Sequence, residues 1–161
     1  MARNIEGKIQ NVKASIEKYI HDNIVVTDDI KINFEAYPFE ISDESEWVNE
    51  YFTETRDREY HRNVDVGSVY GQTNPLYLTF MIHVVKEKTK KTNRHYEIRD
   101  IIANYFSIGS KINLYDFSNN EFNTVIQTMK VREIDLDEAL LDERKFYIYN
   151  YTVVIDWLEK W

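Results

Sequence analysis

The segment FYIYNYTVVIDWLEKW, residues 146–161, is apolar on both faces when read as a strand. Tyr147, Tyr149, Tyr151, Val153, Ile155 and Trp157 alternate onto one side. Phe146, Ile148, Val154 and Leu158 take most of the other, interrupted by Asn150, Thr152 and Asp156. A strand of this kind is usually covered on both faces. Any fold built on it must supply two layers of cover, or expose one face to a neighbouring molecule.

The clearest helix and strand signals lie elsewhere in the chain. Leu76, Leu78, Phe80, Ile82 and Val84 alternate with Tyr77, Thr79, Met81, His83 and Val85, which predicts a strand over 76–86. A lysine-rich turn follows, and a helix whose buried face is Tyr96, Ile98, Ile101, Ile102, Tyr105 and Phe106. Thr92 or Asn93 can cap its start, and Gly109 suits a left-handed stop. Upstream, Ile5, Ile9, Val12, Ile16, Tyr19 and Ile20 form one stripe of a helix of about five turns, ending near HDN at 21–23. Ile30, Ile32 and Phe34 alternate as a strand that Pro38 breaks or places at an edge. Residues 47–52 read as strand or helical turn, and 53–75 as a long hairpin or mobile loop. Strand patterns over 111–117 and 124–132 precede an acidic stretch, EIDLDEALLDER, expected as a solvated turn or short helix.

The resulting order is α-β-β-β-α-β-β-β. It predicts one α+β domain, a mostly antiparallel or mixed sheet covered by two helices. With 161 residues and a hydrophobic fraction of 43%, the chain has enough apolar material for one core.

Charge and composition narrow the chemistry. The formal net charge is −8, which argues against a dedicated nucleic-acid binder. There is no cysteine, so disulfides and thiolate chemistry are excluded. The N-terminal residues mix charges with Ile and Val, unlike a secretory signal, and no apolar run approaches the ~20 residues of a membrane span. A soluble cytoplasmic product is expected. Among its aromatics are 12 tyrosines, and only 4 glycines are present, too few for a phosphate-cradling loop. No GxSxG, HExxH, GxGxxG or GxxxxGK[ST] occurs. Asp57, Glu59 and His61 share a strand face that would suit a divalent metal, but Arg56, Arg58 and Arg62 crowd it with positive charge. Asp135, Asp137 and Glu138 lack the glycine and terminal glutamate of a calcium loop. His83 is expected as a half-buried sheet residue. No catalytic set, metal site or cofactor emerges.

Against the acidic background, Lys86, Lys88, Lys90, Lys91 and Arg94 gather in one turn. Arg94 opens a helix, where a cation is mildly unfavourable, so an acidic partner is expected from this chain or a neighbour. No aromatic residue or glycine accompanies the lysines, so phosphate contact is the weaker reading. Candidate protein-interface residues are therefore Lys88, Lys90, Lys91 and Arg94. Arg56, Arg58, Arg62 and Tyr70 in the 53–75 segment join them, as do Tyr147, Tyr149, Tyr151, Trp157 and Trp161 of the aromatic strand.

The helix from Ile5 to Ile20, the strand from Leu76 to Val85, the helix from Tyr96 to Phe106 and the strands after Lys111 together resemble the tail terminator (tail-completion) proteins of long-tailed bacteriophages. The likeness covers most of the chain as a pattern of elements, without a signature motif. The 53–75 segment and the acidic 133–144 stretch depart from it. The resemblance implies a structural virion protein that acts by binding alone. It would form a homo-oligomeric ring, a hexamer, that caps the tail tube, contacts the tube and neck proteins, and passes DNA through its lumen without specific binding. A metal-dependent small enzyme and a nucleic-acid accessory protein stand as alternatives.

Overall fold

The computed structural model describes residues 8–35, 40, 44–54, 62–66, 69–140 and 145–160. Its centre is a pair of long antiparallel strands, β4 (Val69–Val85) and β7 (Phe146–Lys160), in register from Gly71↔Lys160 to Val85↔Phe146. On one side β4 pairs with β2 (Glu46–Glu54) and, further along, with β3 (Arg62–Val66). A two-residue β1 (Ile32–Asn33) adds to β2 in parallel. On the other side β7 pairs with β6 (Val125–Leu140), and β6 with β5 (Lys111–Tyr115). The sheet is seven-stranded and mixed, in the order β1-β2-β4-β7-β6-β5 with β3 beside β4.

Two helices, α1 (Ile9–Ile20) and α2 (Arg94–Tyr105), pack on the same face. Val12, Ile16 and Ile20 of α1 and Ile98 and Ile102 of α2 meet Leu78, Phe80, Ile82, Tyr151 and Val153 in one core. The α1 stripe falls where its period requires. Two polar members of its buried face close the end of β5. The Tyr115 N–H donates to Ser15 Oγ at 2.8 Å, and the Phe117 N–H to Asn11 Oδ1 at 3.2 Å. The fold is the expected α+β arrangement, with one strand more before α2 than the sequence pattern gives.

Of the two readings for 53–75, the hairpin holds in the described part, through Val66↔Val69. Several other expectations are corrected. The α-helix ends at HDN as expected, at Ile20, but the chain continues as a π-helical turn, His21–Val25, which carries Ile24 into the core. Residues 30–34 yield only Ile32–Asn33 as strand, because Asp29 turns the chain at φ 55° just before them. In its described part, residues 133–140, the acidic stretch is neither turn nor short helix but strand, as β6 runs through it to Leu140. Register shifts at Val131/Glu133 and Ile134/Leu136 keep Val131 and Ile134 on the core side, while Glu133 and Asp135 stay wet. Asn93 holds the N-cap position of α2 but makes no side-chain cap bond. The expected helix start at Ile5 and the break at Pro38 lie outside the described residues.

Gly109 follows α2 at φ 87°, where its N–H donates to the Val131 carbonyl at 2.8 Å. A Cβ there would meet nothing within 4 Å. Gly109→Ala should therefore act through backbone strain alone, lowering stability by about 1 kcal/mol, with Gly109→Asn milder. A shifted urea midpoint at unchanged slope would show it.

Candidate functional site: an interaction surface

The basic turn is largely neutralised within the chain. The Arg94 guanidinium forks onto Glu46 at 2.8 and 2.9 Å and reaches Glu97 at 3.1 Å. The acidic partner expected for this misplaced cation thus comes from β2 and the first turn of α2. Lys91 lies 3.3 Å from Glu97, Lys88 donates to the Glu44 carbonyl, and Lys86 sits 5.0 Å over the Tyr147 ring. Lys90 is exposed and makes no such contact. The turn thus splits into a structural arginine and an outward lysine group.

The aromatic strand divides differently from expectation. Tyr149, Tyr151 and Trp157 were candidates for an interface, but they are 7%, 1% and 2% exposed and belong to the monomer core. Their face is the one the helices cover. Tyr151 donates to the Phe106 carbonyl at 2.6 Å, and Tyr149 to Asp137 at 2.5 Å. Burial pushes the Tyr149 hydroxyl up to about 12, aided by the Asp137 carboxylate, and burial does the same for Tyr151. Arg99 of α2 completes this knot: its guanidinium bonds Asp137 and lies 5.4 Å over Tyr151. That arginine and Tyr149 hold the Asp137 carboxyl below its ordinary range. Tyr147, half-buried, stacks on His95 at 5.0 Å.

The opposite face carries no helix among the described residues. On it Trp47 stacks on His83 at 5.0 Å and 3°, with Phe146 edge-on to both. Burial lowers the His83 pKa, in keeping with the expected half-buried sheet histidine. Thr79 and Thr152 pair across the strands at 2.9 Å. Tyr77, Met81, Val85 and Leu158 are half-buried on this face, and Tyr51 is 45% exposed.

The outer edge of β6 beyond Val131 has no strand partner among the described residues. Glu133, Asp135 and Glu138 are exposed along it. A cleft of about 960 Å³ lies between α1, Ile32, Phe34, Phe117 and Phe122, and both Lys13 and Glu17 open onto it. Beside it, sequence reasoning missed a buried acid pair, Glu17 and Glu50. Its signal was present: Glu50 sits between Val48 and Phe52 on the apolar side of β2.

Arg56, Arg58 and Trp161, with Asp57, Glu59 and His61, lie outside the described residues. Arg62 and Tyr70 fall on β3 and β4, opposite Thr73 and Asp65 in the hairpin register. Among the described residues, no three His, Asp or Glu side chains are grouped as a metal site, and no helix is long and apolar enough to cross a membrane.

No family model matches the sequence, and no curated protein matches it. The chain is similar to a solved structure whose name states no function, with a TM-score of 0.62 at 9% identity. The match covers 93% of this chain and 95% of that one. At that identity the likeness shows the α+β fold alone.

Arg94→Ala should destabilise the chain by about 1–2 kcal/mol by leaving Glu46 unpaired, and Arg94→Lys should recover only part, since an ammonium cannot fork. Lys90→Ala should stay within about 0.5 kcal/mol of the parent. Denaturant titration of the three variants checks the division.

Proposed function

We propose that this chain is a structural assembly protein that closes into a ring, a tail terminator or related neck component of a long-tailed bacteriophage. One observation carries the reading: a β6 edge with three exposed carboxylates and a turn with three exposed lysines, Lys88, Lys90 and Lys91, stand on different parts of one chain. Unlike surfaces that complement each other make head-to-tail contacts, which close into a ring when the rotation between copies closes. In this reading Lys88, Lys90 and Lys91 of one copy meet Glu133, Asp135 and Glu138 of the next. The helix-free sheet face, with exposed Tyr51 and half-buried Tyr77 and Met81, supplies apolar area to the tail tube or neck protein. The chain acts by binding, and the role assigns it no catalysis or cofactor. A net charge of −8 per subunit, repeated around a ring, gives a lumen past which DNA phosphates slide. The protein's place is the head–tail junction of the virion, after assembly in the host cytoplasm.

The test is the mass in solution by light scattering, with negative-stain imaging of large species, alone and with tail tubes. Rings of the parent that are lost in Lys88→Glu/Lys90→Glu/Lys91→Glu and regained when Glu133, Asp135 and Glu138 are changed to Lys would bear the reading out. Rings indifferent to the charge reversal would remove the registry role. A chain monomeric both alone and with tubes would overturn the ring.

A further inference from the structure

The cleft beside α1 has the size and lining of a ligand site. Its volume of about 960 Å³ lies within the range of small-molecule clefts. Lys13, Ala14, Glu17 and Lys18 line it from α1 at three- and one-residue steps, which is one continuous face of the helix. Three aromatic rings join them: Phe34 from the chain just after β1, and Phe117 and Phe122 from the loop between β5 and β6. Phe117 and Phe122 lie 4.6 Å apart, Phe34 is half-buried, and Phe122 is 40% exposed.

The charges around the cleft are unevenly matched. Lys18 is already engaged: its ammonium is 2.5 Å from Asp22 and lies 5.6 Å over the Phe122 ring. Lys13 is divided between Glu35 at 3.6 Å and Glu17 at 4.0 Å, and it also sits 5.6 Å over the Phe52 ring. Glu17 is left short. Its side chain is only 16% exposed, its Oε1 has no hydrogen-bond donor, and Lys13 stays beyond hydrogen-bond reach of it. A carboxylate withdrawn from water costs free energy until its charge is matched. The ring faces beside it favour positive charge, and Phe122 already holds one ammonium.

We propose that this cleft is a binding site for an organic ammonium with an aromatic body: Phe34, Phe117 and Phe122 take the body, and the Glu17 carboxylate takes the cation. The net charge of −8 on the chain draws such a ligand in and repels its carboxylate counterpart. All the residues of the site belong to one chain, so it stands whether or not copies close into a ring.

The probes are tryptamine, tryptophol and indolepropionate, which carry an ammonium, a hydroxyl and a carboxylate on the same indole and two-carbon arm. Each is titrated near neutral pH into isotope-labelled protein, and the backbone amide resonances are followed by NMR. Tryptamine should give saturable shifts centred on Ala14, Glu17, Lys18 and Phe122 and bind about tenfold more tightly than tryptophol. Indolepropionate should bind most weakly. Glu17→Gln should reduce tryptamine to the affinity of tryptophol and leave tryptophol unchanged. Phe122→Ala, at a partly exposed position, should weaken both. The ranking of the three probes on the parent chain tests the site even where a variant does not fold. Absence of saturable shifts at these amides, binding of indolepropionate as tight as that of tryptamine, or a tryptamine preference that survives in Glu17→Gln would overturn the proposal.

Discussion

The pairing of β4 with β7 is the interaction on which the rest of this fold depends. β4 has 17 residues and β7 has 15, and at roughly 3.3 Å per residue each reaches about 50 Å or more. Every other strand is attached through one of these two, apart from β1 and β5 at the ends of the order. At its middle Phe80 stands opposite Tyr151, both buried. The Tyr151 hydroxyl then ties the sheet to the end of α2 through the Phe106 carbonyl. α1 is joined in turn: Tyr19 packs edge-on against Phe106 at 5.3 Å and donates to the Tyr105 carbonyl at 3.0 Å. Helices of 12 residues extend only about 18 Å, so they stabilise part of the long pair and leave the rest to cross-strand contacts.

The parts legible in the sequence were those with a strong period and a matching stop. The alternation over 76–85, the α2 face from Ile98 to Phe106 and the left-handed Gly109 each rest on local chemistry that tertiary structure had no reason to override. Tyr96, expected on that face, is instead 48% exposed, and His95 is buried beside it. The parts that were not legible are those where packing overruled propensity. Asp135, Asp137 and Glu138 disfavour strand in isolation, yet β6 is held by Arg99 on Asp137 and by its register with β7. The π-helical turn at His21–Val25 answers a demand from Ile24 for the core, which no local pattern announces. Tyr149 and Tyr151 read as interface residues because their strand is apolar on both faces and tyrosine offers apolar area with a hydroxyl that seeks a partner. Those partners, Asp137 and the Phe106 carbonyl, are distant in sequence and appear only in the fold.

The same limit applies to the candidate surface. Five cations in one turn read as an outward patch, but the fork of Arg94 onto Glu46 spans 48 residues of sequence. Glu50 shows the reverse: a charge on an apolar face is visible in the strand pattern, while its companion Glu17 belongs to another element and becomes its neighbour only when α1 docks. Pairs of ionisable groups across elements carry much of this molecule's polar organisation, and the sequence holds only half of each.

The treatment of the sheet edges bears on how such a chain can associate. β6 carries two register shifts and exposed carboxylates along its outer edge, which oppose addition of another strand. At the opposite side Glu35 takes the Phe52 N–H at 3.3 Å, and the Val48 N–H is used by the Lys31 carbonyl. The end of β5 is closed by Ser15 and Asn11 of α1. Growth through backbone pairing is thus opposed at these positions, and association must use side chains. Two resources remain: the charges of β6 and the lysine turn, and the helix-free face around Tyr51, Tyr77 and Met81. Charge pairs at a wet surface fix register more than affinity. Apolar burial supplies affinity without direction. In the proposed ring, a subunit that must meet its neighbours in one orientation while also gripping a partner needs both, and this chain keeps them on separate surfaces.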